Sequence, residues 1–182
     1  MPKLRYLSWG QYGELVTRLA DEVDSSGEKF DLVVGIARGG IPVAMAVADR
    51  IGSKVDFINV KSYTDVGERV KPRILTTIIE RITGKRVLVV DDLVDGGETM
   101  ETVTKYFGSE KPRVMKTAVL FTKPWSTFVP DFSLQTVDTW VVFPYERGEV
   151  RRSRTQRRQK ELVPEPRPKR ARDARRASPA LN

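Results

Sequence analysis

An α/β fold built on a mainly parallel sheet flanked by helices is the class this sequence predicts. Strand-like apolar runs alternate with amphipathic helical segments between residues 5 and 147, and two of those runs lead straight into glycine turns that open helices. With 182 residues and 40% apolar content the chain has enough material for one sizeable core.

Taken in order, Leu15, Val16, Leu19, Ala20 and Val23 recur at helical spacing behind Ser8-Trp9, predicting a first helix that stops near Ser25-Ser26-Gly27. Asp31 to Ile36 reads as a first buried strand. Ala37-Arg38-Gly39-Gly40 turns the chain, and Ile41 to Arg50 resumes helical periodicity with Pro42 in its first turn, where a missing N–H costs little. Val55 to Val60 is a second strand. Ser62 to Lys71 is polar around Gly67 and predicts a mobile loop, beside a short β-branched strand at Arg73 to Ile79.

The richest stretch runs from Val87 to Thr99. Four apolar residues, Val87 to Val90, end in the paired carboxylates Asp91 and Asp92, followed by Asp95, Gly96 and Gly97 and a helix predicted from Glu98 to Phe107. At the carboxyl end of a parallel strand, such a glycine turn presents free backbone N–H groups to an anion, and neighbouring carboxylates can hold hydroxyls or a divalent metal. Further on, Arg113 to Thr122 predicts a strand closed by Lys123-Pro124. Pro130, Asp131 and Ser133 predict irregular chain, and Thr136 to Phe143 predicts a last strand stopped by Pro144.

Composition removes several chemistries. The chain has no cysteine and no histidine, which excludes disulfides, thiolate or imidazole metal sites and any Ser-His or Cys-His nucleophile. A metal must be held by oxygens, which favours Mg²⁺, and an acid or base must be Asp, Glu, Lys or Tyr. No apolar run reaches bilayer length and Met1 to Tyr6 lacks a signal-peptide core, so a cytoplasmic protein without a membrane partner is expected. The formal charge of +8 is confined to the end of the chain: residues 149–182 carry 12 Lys and Arg against 4 Asp and Glu, leaving 20 of each sign in 1–148. The expected organisation is therefore a folded domain over 1–148 and an Arg-rich tail over 149–182. That tail has too few apolar residues to offset ordering entropy and is expected to be disordered.

At Val87 to Thr99 the chain resembles the type I phosphoribosyltransferases, with Gly96 where that family more often has Thr. Ser8-Trp9, Ala37-Arg38-Gly39-Gly40, Ser62-Tyr63 and Lys123-Pro124 followed by Asp138-Thr139-Trp140 extend the resemblance over about residues 5 to 147, and its 6-oxopurine branch fits best. The resemblance implies a parallel sheet with a small hood. It also implies transfer of a phosphoribosyl group from 5-phosphoribosyl 1-pyrophosphate (PRPP) to hypoxanthine, guanine or xanthine, with Mg²⁺ as cofactor and pyrophosphate released. A homo-oligomer, dimer or tetramer, is expected from the family alone.

The resemblance also distributes roles. Asp91 and Asp92 would hold the ribose hydroxyls and metal. Asp95, Gly96, Gly97, Glu98 and Thr99 would wrap the 5′-phosphate, with the Glu98 carboxylate turned away from it. Asp95 would exchange a proton near purine N7. Arg38, Gly39 and Gly40 would face the pyrophosphate, in a loop that often carries a cis peptide, here Ala37-Arg38. Ser62 and Tyr63 would start a lid over PRPP. Lys123 would donate to the purine O6, Trp140 would stack on the base, and the Val141 backbone would read its 2-position. The alternatives are that Asp95 only caps the helix, that Arg38 is a solvated turn residue, that Lys123 is a turn residue and that Trp140 is core.

Two rivals stay open at this stage. One is a transferase for another base such as adenine, against which Lys123 argues because an ammonium suits a 6-oxo acceptor. The other is a PRPP-sensing regulator or RNA-binding protein, with nucleic acid contacted only through the basic tail.

Overall fold

The structure is a computed structural model that describes residues 3–61, 64–65, 68–69, 72–148 and 151–152. In chain order these form β1 (Leu4–Tyr6), α1 (Trp9–Ser25), β2 (Leu32–Ala37), α2 (Gly40–Ile51), β3 (Lys54–Lys61), β4 (Thr64–Asp65), β5 (Glu68–Arg69), β6 (Arg73–Thr76), β7 (Arg86–Val94), α3 (Glu98–Gly108), β8 (Val114–Thr122), β9 (Phe132–Thr136) and β10 (Trp140–Val142).

Six strands make one sheet in the order β6-β3-β2-β7-β8-β9, parallel throughout except for β6, which runs antiparallel to β3. Along β2, Leu32, Val34 and Ile36 point into a core shared with Val87, Val89 and Val119 and with Met100, Val103 and Phe107 of α3. The alternate residues Val33 and Leu88 are equally buried on the other face, where α1 and α2 bring Leu19, Val23, Val43 and Val47. Each such aliphatic side chain withdrawn from water contributes about 1.5–3 kcal/mol. The start of α1 is fixed by a capping box, in which the Ser8 hydroxyl accepts the Gln11 N–H and the Gln11 side chain accepts the Ser8 N–H.

Several expectations need correction. β7 does not end at Val90: it runs on to Val94, with Asp91 paired to Val119 and Leu93 to Phe121, so both acids sit in a strand held by its neighbour and the true loop shrinks to Asp95–Gly97. The strand expected over Thr136 to Phe143 is two strands in two sheets. β9 begins at Phe132, inside the stretch read as irregular from Pro130, Asp131 and Ser133, because the Asp131 carboxylate accepts both the backbone N–H (2.8 Å) and the hydroxyl (2.9 Å) of Thr117 and anchors the new edge strand to β8. β10 then leaves the main sheet and pairs in parallel with β1, a strand too short and too charged to be legible in advance. The strand expected over Arg73 to Ile79 stops at Thr76, since Ile78 turns into the core and the Ile79 and Glu80 N–H groups are taken by the Asp56 carboxylate.

The chain divides into two compact units, Met1–Pro144 and Tyr145–Asn182. Every strand and helix named above lies in the first. In the second, helical backbone is recorded at 147–148 and 151–152. The lid expected at Ser62 and Tyr63 lies outside the described residues, as does nearly all of the tail expected to be disordered. No helix among the described residues is long and apolar enough to cross a membrane.

Candidate active site

Two strand ends meet at the carboxyl edge of the sheet. β2 and β7 are parallel neighbours, and the turn that leaves β2 lies directly against the acids of β7. The contact is close enough to dictate residue type. A Cβ on Gly39 would stand 2.1 Å from Asp92 Oδ2, and one on Gly40 would stand 2.5 Å from the Val90 carbonyl and 3.0 Å from Asp91 Cα. Only consecutive glycines let this turn cross the acid pair. The Ala37–Arg38 peptide within it is cis. Arg38, Gly39, Gly40, Asp91 and Asp92 are thus brought together, and Arg38 is exposed beside them.

The two carboxylates are unequal. Asp91 accepts the Asp92 N–H at 2.9 Å, yet loss of solvent and then the charge of Asp92 push its carboxyl well above the usual range. A cation between the acids would reverse that trend. Among the described residues no cluster of three or more Asp or Glu is gathered. Two neighbouring carboxylates, with the other positions left to substrate oxygens and water, make the donor set that suits Mg²⁺, so Asp91 and Asp92 fit the ion the resemblance implies.

Beyond β7, residues Asp95 to Thr99 line a cavity of about 230 Å³ at the N-terminus of α3. Gly97 caps that helix at φ 112°, a conformation other residues resist, and a Cβ there would also meet Phe128 at 2.8 Å. Asp95 is therefore not the helix cap. The Glu98 side chain folds back instead of turning away: its Oε2 lies 2.3 Å from where a Gly96 Cβ would stand, against the loop that would seat a phosphate. The positive end of α3 favours acids in its first turn, and Glu98 and Glu101 both occupy it.

The chain after β8 is fastened to this loop. Lys123 N–H donates to the Val94 carbonyl at 3.0 Å, and the Thr127 N–H and hydroxyl both reach the Gly96 carbonyl at 3.0 Å. Lys123 itself is buried, its ammonium donating to the Thr139 carbonyl immediately before Trp140. Trp140 is half-exposed, while Val141 beside it is buried and paired with Arg5 of β1. A residue the sequence reading passed over connects these pieces. The Trp125 indole N–H donates to Asp95 Oδ1 at 2.8 Å, and the Lys123 ammonium lies 5.3 Å from the centre of the same ring. Its signal in the sequence is an aromatic residue two positions after the lysine expected to read the base, and nothing along the chain ties that ring to Asp95.

A family model for the phosphoribosyl transferase domain matches residues 5–148. The chain belongs to the phosphoribosyltransferase family. It is 34% identical over 149 residues to the xanthine-guanine phosphoribosyltransferase of Cereibacter sphaeroides, covering 78% of this chain and 86% of that protein. Over 156 residues it is 32% identical to the enzyme of the same name from Ruegeria sp., with 78% and 84% covered. Among solved structures, the purine phosphoribosyltransferase of Pyrococcus horikoshii superposes with a TM-score of 0.71 at 33% identity, covering 79% of this chain and 93% of that one. The mostly parallel sheet flanked by helices is the type I phosphoribosyltransferase fold anticipated from the sequence, and the chain is a PRPP-dependent transferase.

Proposed function

We propose that this phosphoribosyltransferase joins PRPP to a 6-oxopurine base in purine salvage, releasing pyrophosphate and a purine nucleoside monophosphate. The observation that carries the choice of base is Lys123. Its ammonium is buried and donates one hydrogen bond to the Thr139 carbonyl, so its other N–H groups suit an acceptor such as O6 and oppose the 6-amino donor of adenine. The names of the relatives support the same substrate class.

In this reading the bond from the ribose anomeric carbon to pyrophosphate breaks as the bond to N9 forms, through a sugar with oxocarbenium character. Asp91 and Asp92 hold the ribose hydroxyls and face the developing positive charge. Arg38, with the backbone of Gly39 and Gly40, receives the departing pyrophosphate. The Asp95 to Thr99 turn binds the 5′-phosphate through backbone N–H groups and the Thr99 hydroxyl. Asp95 exchanges the purine proton near N7, Trp140 stacks on the ring, and the Val141 backbone reads the 2-position. Mg²⁺ held by Asp91 and Asp92 would neutralise the diphosphate. Ser62 and Tyr63 would open a lid that keeps water from the activated sugar. We also take the enzyme to be a cytoplasmic homo-oligomer, with residues 1–148 as its catalytic domain and 149–182 as a basic tail.

The test is pyrophosphate release from PRPP with hypoxanthine, guanine, xanthine and adenine offered in turn. Release is expected with at least one 6-oxopurine and at background level with adenine. Adenine as the best substrate would overturn the assignment.

A further inference from the structure

Trp125 is exposed over 56% of its surface, yet it is committed at both faces of its function: its N–H to Asp95 Oδ1 at 2.8 Å and its ring to the Lys123 ammonium at 5.3 Å. An exposed indole kept in place needs an anchor, and the turn that carries it has three. Lys123 N–H is bonded to the Val94 carbonyl at 3.0 Å, Ser126 N–H to the Lys123 carbonyl at 3.0 Å, and Thr127 to the Gly96 carbonyl by two bonds of 3.0 Å. The first and the last tie the turn to the residues on either side of Asp95, and the bond from Ser126 to Lys123 closes the turn itself. The indole and the carboxylate it serves are therefore carried by one fastened piece of backbone and keep their spacing when the surroundings move.

We infer that Trp125 is a positioning residue that holds Asp95 and Lys123 on one side of the site, both facing one purine edge. This rests on the assignment of those two residues to N7 and O6. Both atoms lie on the same edge of a 6-oxopurine: O6 is an acceptor, and N7 carries the proton in the tautomer whose N9 lone pair is free to bond to the ribose, so a site that reads them needs a donor beside a carboxylate that can take that proton. A carboxylate on a short side chain turns freely about its last bond. With Oδ1 taken by the indole, Oδ2 is the oxygen left for the base. The ring beneath the Lys123 ammonium restrains the second group through cation–π attraction. One aromatic side chain thus sets both groups without touching the substrate.

The variants Trp125→Phe, Asp95→Ala and the double variant test this in the full chain. Phenylalanine keeps a ring below Lys123 and removes only the donor. Loss of a hydrogen bond to a charged group predicts a fall in kcat on the order of tenfold for Trp125→Phe with its best 6-oxopurine. KM for PRPP should stay within about twofold and the melting temperature should not move, since the side chain is exposed. In the Asp95→Ala background the same change should have almost no further effect, because the group it positions is gone. Wild-type kcat in Trp125→Phe, or an equal loss in both backgrounds, would overturn the inference and leave the role of Asp95 standing. Wild-type turnover in Asp95→Ala would instead remove that role, and this inference with it. Trp125→Ala adds a second readout: with the ring gone as well, KM for the purine should rise more than in Trp125→Phe, and equal values would refute the part assigned to the ring.

Discussion

The carboxyl edge of the sheet has two halves built on different principles. On the side proposed for PRPP, the turn after β2 and the loop after β7 are built from backbone and glycine: Gly39, Gly40 and Gly97 each stand where a Cβ would collide with a neighbour, the first two beside the carboxylates of Asp91 and Asp92. On the side proposed for the base, single side chains would do the work. Lys123 and Trp125 come from one turn and Trp140 from another segment, and the two are joined only by the Lys123 bond to the Thr139 carbonyl. In the proposed assignment, the feature common to all the substrates would be met by backbone, whose geometry tolerates few residues, and the feature that distinguishes one base from another by side chains that can be exchanged singly.

The sharpest way to break this division is to remove the acids. Asp91→Ala with Asp92→Ala should abolish most turnover, since contacts to developing charge are typically worth about 2.7–4 kcal/mol each. Steady-state pyrophosphate release checks it, and activity within tenfold of wild type would refute the assignment. Stability should move the other way. Because the Asp91 carboxyl is pushed well above its ordinary range, its ionisation costs folding free energy as pH rises through the folded pKa. Asp91→Asn should therefore melt higher than wild type at pH 7, and the two should converge below about pH 4, where the acid is protonated folded or unfolded.

Glycine replacements on the PRPP side should come next in size and differ from each other. In Gly40→Ala the new methyl meets the Val90 carbonyl of the central strand, which cannot withdraw, so the domain should lose about 1–3 kcal/mol in denaturant unfolding. In Gly39→Ala it meets only the end of the Asp92 side chain, so stability should hold while kcat falls. Equal destabilisation by both would show that the turn, not the acid pair, carries the contact.

Base-side changes should sort substrates without touching PRPP. Lys123→Gln is expected to weaken use of 6-oxopurines and raise the adenine to guanine ratio of kcat/KM, with PRPP affinity nearly constant. Parallel losses for base and PRPP would indicate a collapsed site. The smallest expected effect belongs to Glu98. Its carboxylate lies against the turn proposed for the 5′-phosphate and would repel an incoming dianion there, so Glu98→Gly should lower KM for PRPP a few-fold, roughly the share of one partly screened charge. An unchanged or higher KM would remove it from the phosphate seat.

The same contrast decides how much was legible beforehand. The PRPP side is contiguous: four apolar residues, two acids and a glycine turn opening a helix carry their own meaning at short range, and α1, α2 and α3 follow from periodicity and caps. What misled was the strand's end, because a carboxylate pair inside a ladder looks like a loop until its neighbour is known, and β8 supplies the bonds that extend β7 to Val94. The base side depends on contacts between residues far apart in sequence. Asp95 and Trp125 are 30 residues apart, and no pattern along the chain records that their side chains touch. β9 and β10 were merged for a like reason, since only the partner strands, β8 for one and β1 for the other, reveal that the chain changes sheets at Val137 to Thr139.

That change of sheet has a consequence for motion. β10, which carries Trp140 and Val141, is held by a three-residue ladder to β1, whereas β7 lies between two long parallel neighbours. Small two-stranded ladders open at a fraction of the cost of central strands. Backbone amides of Trp140 and Val141 should exchange with solvent deuterium well before those of Val89 and Val90. If Trp140 and Val141 bind the purine as proposed, that wall would breathe while the strand under the ribose stays rigid, and the nucleotide product would have a way out that leaves the acid pair undisturbed.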